Sequence, residues 1–217
     1  MHTLIISGGT IDTDFALDLL KKEKYDHIIG VDGALKFCKE QNIVPTRIVG
    51  DFDTLDPEIL TWYQTHTQIE IRQFNPVKDA TDTQIAIELA MELGSRKITL
   101  VGGTGTRLDH VLGNIQTLYL PFAKGIDCRI VDAHNRIRLV SGELHLKMAE
   151  QWGKYVSLIP FTTDVEGVDL IGFKYPLEKF NFTVLGTGSR GVSNEIEEEE
   201  AVIRIEKGIM ILVESKD

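Results

Sequence analysis

The chain has 217 residues, 42% of them hydrophobic and 26% charged, an ordinary globular composition with room for one large domain or two small ones. Its 33 acidic residues against 23 basic ones give a net charge of −10. That excludes partners held mainly by phosphate neutralisation, such as bulk nucleic acid, and an anionic membrane surface. It leaves open one small polyanion, because a metal ion can sit between carboxylates and phosphates.

Taken in chain order, the first two-thirds alternate short apolar runs with helical patterns. Residues 3–6 read as a strand ending in Ser7-Gly8-Gly9. A helix is expected over 14–22, a strand over 27–31, a helix over 34–41, a strand over 47–49 and a helix over 57–64. Then follow a strand over 69–72, a helix over 83–93, a strand over 97–101, a helix over 110–119 and a strand over 129–132. Repeated alternation implies an α/β fold: a doubly wound, mostly parallel sheet with helices on both faces. After Ser141 the pattern changes to short strands over 144–148, 155–160, 166–170, 183–185, 201–206 and 209–213. The last two read as a hairpin turning at Lys207-Gly208. A boundary near 138–143 divides the chain into an α/β domain, 1–140, and an all-β domain, 141–217.

No basic segment or long apolar run opens the chain, so no signal peptide is expected, and no window reaches the ~18 apolar residues of a membrane span. Cys38 and Cys128 are too few for a disulfide framework and read as buried free thiols. A cytoplasmic setting is the expectation.

In an open parallel sheet, ligands bind beyond the carboxyl ends of the strands. Four consecutive strands deliver acids there. The second ends in Asp32-Gly33-Ala34 and the third in Gly50-Asp51-Phe52-Asp53-Thr54. The fourth leads to Lys78-Asp79-Ala80-Thr81-Asp82 and the fifth to Gly102-Gly103-Thr104-Gly105-Thr106-Arg107-Leu108-Asp109-His110. If residues 51–53 stay extended, Asp51 and Asp53 point to one side and Phe52 inward. Two like charges on one side suit a Mg²⁺ ion; the other reading is an Asx-turn at a strand end. Thr81 and Gln84 form a capping-box pattern, with Asp82 in the first helical turn. Lys78 can meet a phosphate while Asp79 or Asp82 faces the metal. The Gly102–Gly105 loop lets backbone N–H groups approach an anion, and it matches neither the Walker nor the dinucleotide spacing. Arg107 offers a planar fork to phosphate. Asp109 is either part of that site or the N-cap of the next helix, and His110 either a chemical group or a packing histidine. Asn114 lies one turn on from His110.

Together these segments, with Gly191-Val192-Ser193-Asn194-Glu195 near the C-terminus, resemble the thiamine pyrophosphokinase family over nearly the whole chain. The resemblance implies an N-terminal α/β nucleotide-binding catalytic domain, a C-terminal β-sandwich for thiamine binding and dimerisation, and a homodimer. It implies transfer of the diphosphate of ATP to the hydroxyl of thiamine, releasing AMP. Asp32, Asp51, Asp53 and Asp82 would then surround Mg²⁺ and the diphosphate, with Asp109 among the catalytic residues. Gly33, Lys78, Asp79, Thr81, Gly103, Arg107 and His110 would line the nucleotide, and Tyr175, Ser193 and Asn194 the thiamine, between subunits. Two other readings compete. Asp51-Phe52-Asp53-Thr54-Leu55 is also similar to the first motif of haloacid-dehalogenase phosphatases, although two strands precede it here and that motif normally follows the first. The second is a non-catalytic nucleotide or thiamine sensor on the same fold.

Overall fold

A computed structural model of the chain describes residues 1–53, 55–74 and 80–217. It is a mixed α/β protein that separates into two compact units, Met1–Ala133 and His134–Asp217.

The first unit runs β1 (His2–Ile6), α1 (Thr13–Lys22), β2 (His27–Val31), α2 (Ala34–Glu40), β3 (Arg47–Gly50) and α3 (Pro57–His66). It continues with β4 (Glu70–Gln73), α4 (Asp82–Glu92), β5 (Lys97–Val101), α5 (Leu108–Thr117), α6 (Tyr119–Phe122) and β6 (Asp127–Val131). Side-chain caps start three of the helices. Asp12 accepts from the Phe15 amide, Asp56 from Glu58, and Thr81 from Gln84. The strands pair in parallel in the order β4-β3-β2-β1-β5-β6. The central strands are apolar almost throughout, and Leu4, Ile5, Ile6, Ile98 and Leu100 are fully buried. After β4 the chain returns to the far side of β1. The carboxyl ends of β1 and β5 therefore flank a topological switch point, where open α/β sheets hold their ligands.

The second unit contains β7 (Asn135–Lys147), β8 (Tyr155–Pro160), β9 (Asp164–Ile171), β10 (Leu177–Thr183), β11 (Asn194–Glu195) and β12 (Glu200–Ser215), all paired antiparallel. Asn135–Val140, left in the first domain by the sequence pattern, are the opening half of β7. The expected hairpin over 201–213 is one strand. β12 pairs with β7 along both halves, and the register shifts between Ile205 and Met210, where Gly208 has φ of +101°. Lys207-Gly208 is thus a bulge, at which β12 exchanges β9 for β8 as its other neighbour. The strand expected at 183–185 lies earlier, as β10. Register shifts around Phe180 break its two-residue alternation, and Val184 and Leu185 are exposed. Val156, Leu158, Val165, Val168, Phe182, Ile203 and Met210 are among the residues of this unit's apolar core.

One buried ion pair braces the second unit. Glu214 on β12 has no solvent exposure, and the Arg136 guanidinium holds both its carboxylate oxygens. The Trp152 ring lies 5.4 Å from the guanidinium carbon. Arg136→Ala would strand the Glu214 charge in the interior and should cost about 3–5 kcal/mol of stability in urea denaturation. A loss below about 1 kcal/mol would mean that the pair contributes little.

Candidate active site

A cleft of about 700 Å³ opens at the carboxyl ends of the parallel strands. Residues after β1, β2, β3 and β5 and the start of α4 line it. It gathers Asp32, Asp51, Asp53, Thr81, Asp82, Gly103, Arg107 and His110. Gly33 is the residue before α2 and is not among its lining residues. Lys78 and Asp79 lie outside the described residues.

The acids meet by a different route from the expected extended strand. β3 stops at Gly50, and Phe52 takes a left-handed φ of 62°. The Asp53 amide then donates to Asp51 Oδ1 at 3.2 Å, an Asx-type turn. The two readings of this segment coincide: the turn is what groups the carboxylates. Asp32, also left-handed with φ of 40°, joins them. One carboxylate oxygen from each of Asp32, Asp51 and Asp53 lies within 4.8 Å of the others. Phe52 points inward, packed with Leu35, Ile48, Leu55, Ile59 and Tyr63. The Asp51 charge pushes the Asp53 carboxyl above its ordinary range, and Asp32 and Asp82 add to the shift.

The donor set tests well against Mg²⁺. It is all oxygen, anionic and crowded on a partly open rim, and it carries like-charge repulsion that a hard cation would relieve.

Thr81 caps α4 as expected, but the capping box is half made: the Gln84 side chain turns to Glu88 at 2.9 Å. Asp109 is not an N-cap. α5 begins at Leu108, so Asp109 lies in the first turn and grips Arg107 through two bonds, at 2.5 and 3.2 Å. That pair holds the Asp109 carboxyl below its ordinary range and occupies the Nε–Nη2 edge of Arg107, a residue of the cleft lining.

Sequence reasoning gave no role to Ser7, Gly8, Gly9 and Thr10, which also line the cleft. Their signal was their place after the first strand. This loop and the glycine loop after β5 are joined by backbone bonds. Ser7 donates to Val101, Gly9 to Gly102 and Thr10 to Thr104, at 2.8–2.9 Å. Thr83 joins from α4, its hydroxyl 2.7 Å from that of buried Ser7.

The remaining predicted residues lie in the second unit. Asn194 is buried, and its side chain accepts from the Tyr175 amide and donates to the Tyr175 carbonyl, at 3.0 and 2.8 Å. Tyr175 itself is 59% exposed, with Lys174 Nζ 5.7 Å from its ring centroid. Lys174 and Lys154 both pair with Glu195. Ser193, at φ of 59°, donates its amide to Ser157 Oγ.

The model of the thiamin pyrophosphokinase catalytic domain matches residues 16–130, and that of the thiamin pyrophosphokinase vitamin B1 binding domain matches residues 142–210. The chain belongs to the thiamine pyrophosphokinase family. Thiamine pyrophosphokinase of Bacillus subtilis is 34% identical over 195 residues, 87% of each chain. A crystal structure of thiamine pyrophosphokinase from that organism superposes with a TM-score of 0.86 at 31% identity, covering both chains fully. The thiamine pyrophosphokinase of Geobacillus thermodenitrificans gives 0.84 at 32% identity, over 100% of this chain and 98% of the other. The phosphatase and sensor readings find no support in these relatives. Asp51 also follows the third strand of its sheet, not the first.

The joined loops make a sharp prediction. Gly102 has φ of +71°, and an added Cβ would fall inside the Ser7 carbonyl oxygen. Gly102→Ala should lower stability by about 2–3 kcal/mol or more in a thermal melt. A change within about 0.5 kcal/mol would show that the two loops can separate.

Proposed function

We propose that this chain transfers the diphosphate of ATP to the hydroxyl of thiamine, yielding thiamine diphosphate and AMP. The observation that carries the reading is the three-carboxylate cluster in the switch-point cleft of a family member. ATP brings about four negative charges near neutral pH, and an acidic rim accepts it only with a cation between. Asp32, Asp51 and Asp53, with Asp82 beside them, would hold Mg²⁺. When bound, the ion neutralises phosphate charge and stabilises the negative charge that grows on the oxygen bridging the α- and β-phosphorus atoms.

The protein's own groups do the rest. The Arg107 fork, held by Asp109, binds phosphate oxygens, while Thr81, Gly103 and His110 line the nucleotide. The thiamine hydroxyl oxygen forms a bond to the β-phosphorus, the bond from that phosphorus to the bridging oxygen breaks, and AMP departs. The hydroxyl proton passes to a carboxylate of the rim, Asp53 or Asp82. In the second unit, exposed Tyr175, its backbone tethered by Asn194, offers a ring to stack on thiamine, with Ser193 the chain neighbour of Asn194.

The same reading takes the first unit as a doubly wound nucleotide-binding domain. It takes the second as a β-sandwich that binds thiamine and forms a homodimer, with the thiamine site at the subunit interface. No described helix is long and apolar enough to cross a membrane. A cytoplasmic setting belongs to the proposal too, supported by the buried free thiols of Cys38 and Cys128.

The test incubates the protein with ATP, thiamine and Mg²⁺ and resolves the nucleotides. AMP and thiamine diphosphate should form one for one. ADP would mean transfer of a single phosphoryl group, free phosphate without thiamine a hydrolase, and binding without turnover a sensor. Because Asp53 is exposed, Asp53→Asn should leave the fold intact and weaken Mg²⁺ binding by about 10–100-fold in calorimetry. Unchanged affinity would remove Asp53 from the metal set.

A further inference from the structure

The glycine loop after β5 is braced from several sides. Besides the bonds from Gly9 and Thr10, Thr104 Oγ1 donates to Asp132 Oδ2 at 2.8 Å. Another tie comes from α5. Asn114 Nδ2 donates to the Gly103 carbonyl at 2.8 Å. The amide orientation follows from chemistry: a carbonyl oxygen only accepts, so the nitrogen of Asn114 must face it.

Asn114 is the one buried residue of α5. That is an unusual choice for a helix that also carries Leu108, Val111, Leu112 and Ile115. Burying an amide in place of an aliphatic group is unfavourable unless it is hydrogen-bonded, and here the bond goes to a loop at the cleft. The two partners are 11 residues apart, and the stretch between them contains Arg107, Asp109 and His110. The bond therefore closes this stretch on itself and couples α5 to the glycine loop that precedes it.

We propose that Asn114 is a positioning residue for the nucleotide phosphates. Acting through the Gly103 carbonyl, it keeps the Gly102–Thr106 backbone and the Arg107 fork in register with each other. Thr104 and Asp132 brace the same loop at a second point. The inference rests on the reading of this cleft as the nucleotide site. It explains a buried polar side chain that the chemistry of the reaction does not require.

The test compares the full-length wild type with Asn114→Leu and Asn114→Ala, neither of which has a side-chain donor for the Gly103 carbonyl. MgATP affinity is measured by calorimetry without thiamine, and KM is measured for each substrate. Both variants should bind MgATP about 10–100-fold more weakly. KM for ATP should rise in parallel, KM for thiamine should stay within about twofold, and the Gly103–Thr106 amides should exchange faster. Thr104→Val should shift ATP affinity in the same direction, and it decides the matter if neither Asn114 variant folds. Wild-type MgATP affinity in a folded variant overturns the proposal. So does an equal loss for both substrates with a lowered melting temperature, the result a merely structural residue gives. Wild-type protein that binds MgATP but forms no AMP overturns the functional reading instead, and the affinity comparison still decides the role of Asn114.

Discussion

Three carboxylates whose oxygens lie within 4.8 Å repel one another, and the rest of the catalytic-domain rim is arranged to keep them there. The backbone pays for part of this. Asp32 and Phe52 both occupy left-handed conformations that cost about 1–3 kcal/mol each in a residue with a side chain. Packing offsets the strain. The Asp32 amide donates to Val49, tying the end of β2 to β3, and the Phe52 ring is seated in the core below the turn. Gly50 makes room: a Cβ there would meet the Phe52 ring at 2.9 Å and Asp32 Cα at 3.2 Å. A site prearranged in this way would bind a cation without reorganising.

Much of the fold was legible because parallel strands buried on both faces leave continuous apolar runs. β2, β5 and β8 fall at the expected residues, and α1 to α5 fall within two residues of theirs, while the short α6 has no counterpart among the expected elements. The second unit was harder to read. Gly208 looks like a hairpin turn by local chemistry, yet the long pairing of β12 with β7 carries the strand through it as a bulge. The alternation of Arg136, Ile137, Arg138 and Leu139 is a strand signal, but it stands at the change of pattern, where the sequence places the domain boundary.

At the site, residue type and strand-end position point to the rim where the structure gathers Asp32, Asp51, Asp53 and Asp82, and local sequence carries no more. An alternating Asp-Phe-Asp predicts carboxylates on one side of a strand; the left-handed Phe52 reaches the same grouping through a turn, which only tertiary packing selects. Ser7–Thr10 carried no charge and so drew no role, although their bonds to the glycine loop bring them to the cleft. Asp109 had the look of a cap, and its partner Arg107 shows why it is placed two residues further in. Contacts between segments distant in sequence decide such details, and no local pattern records them.

The central claim is that the carboxylate cluster is a cation seat facing the phosphates. Anomalous diffraction from crystals of this chain grown with Mn²⁺ and a non-hydrolysable ATP analogue addresses it directly. The account predicts a metal peak coordinated by Asp32, Asp51 and Asp53, with phosphate oxygens completing its shell beneath the joined glycine loops. A metal–nucleotide complex bound away from these three side chains would contradict it.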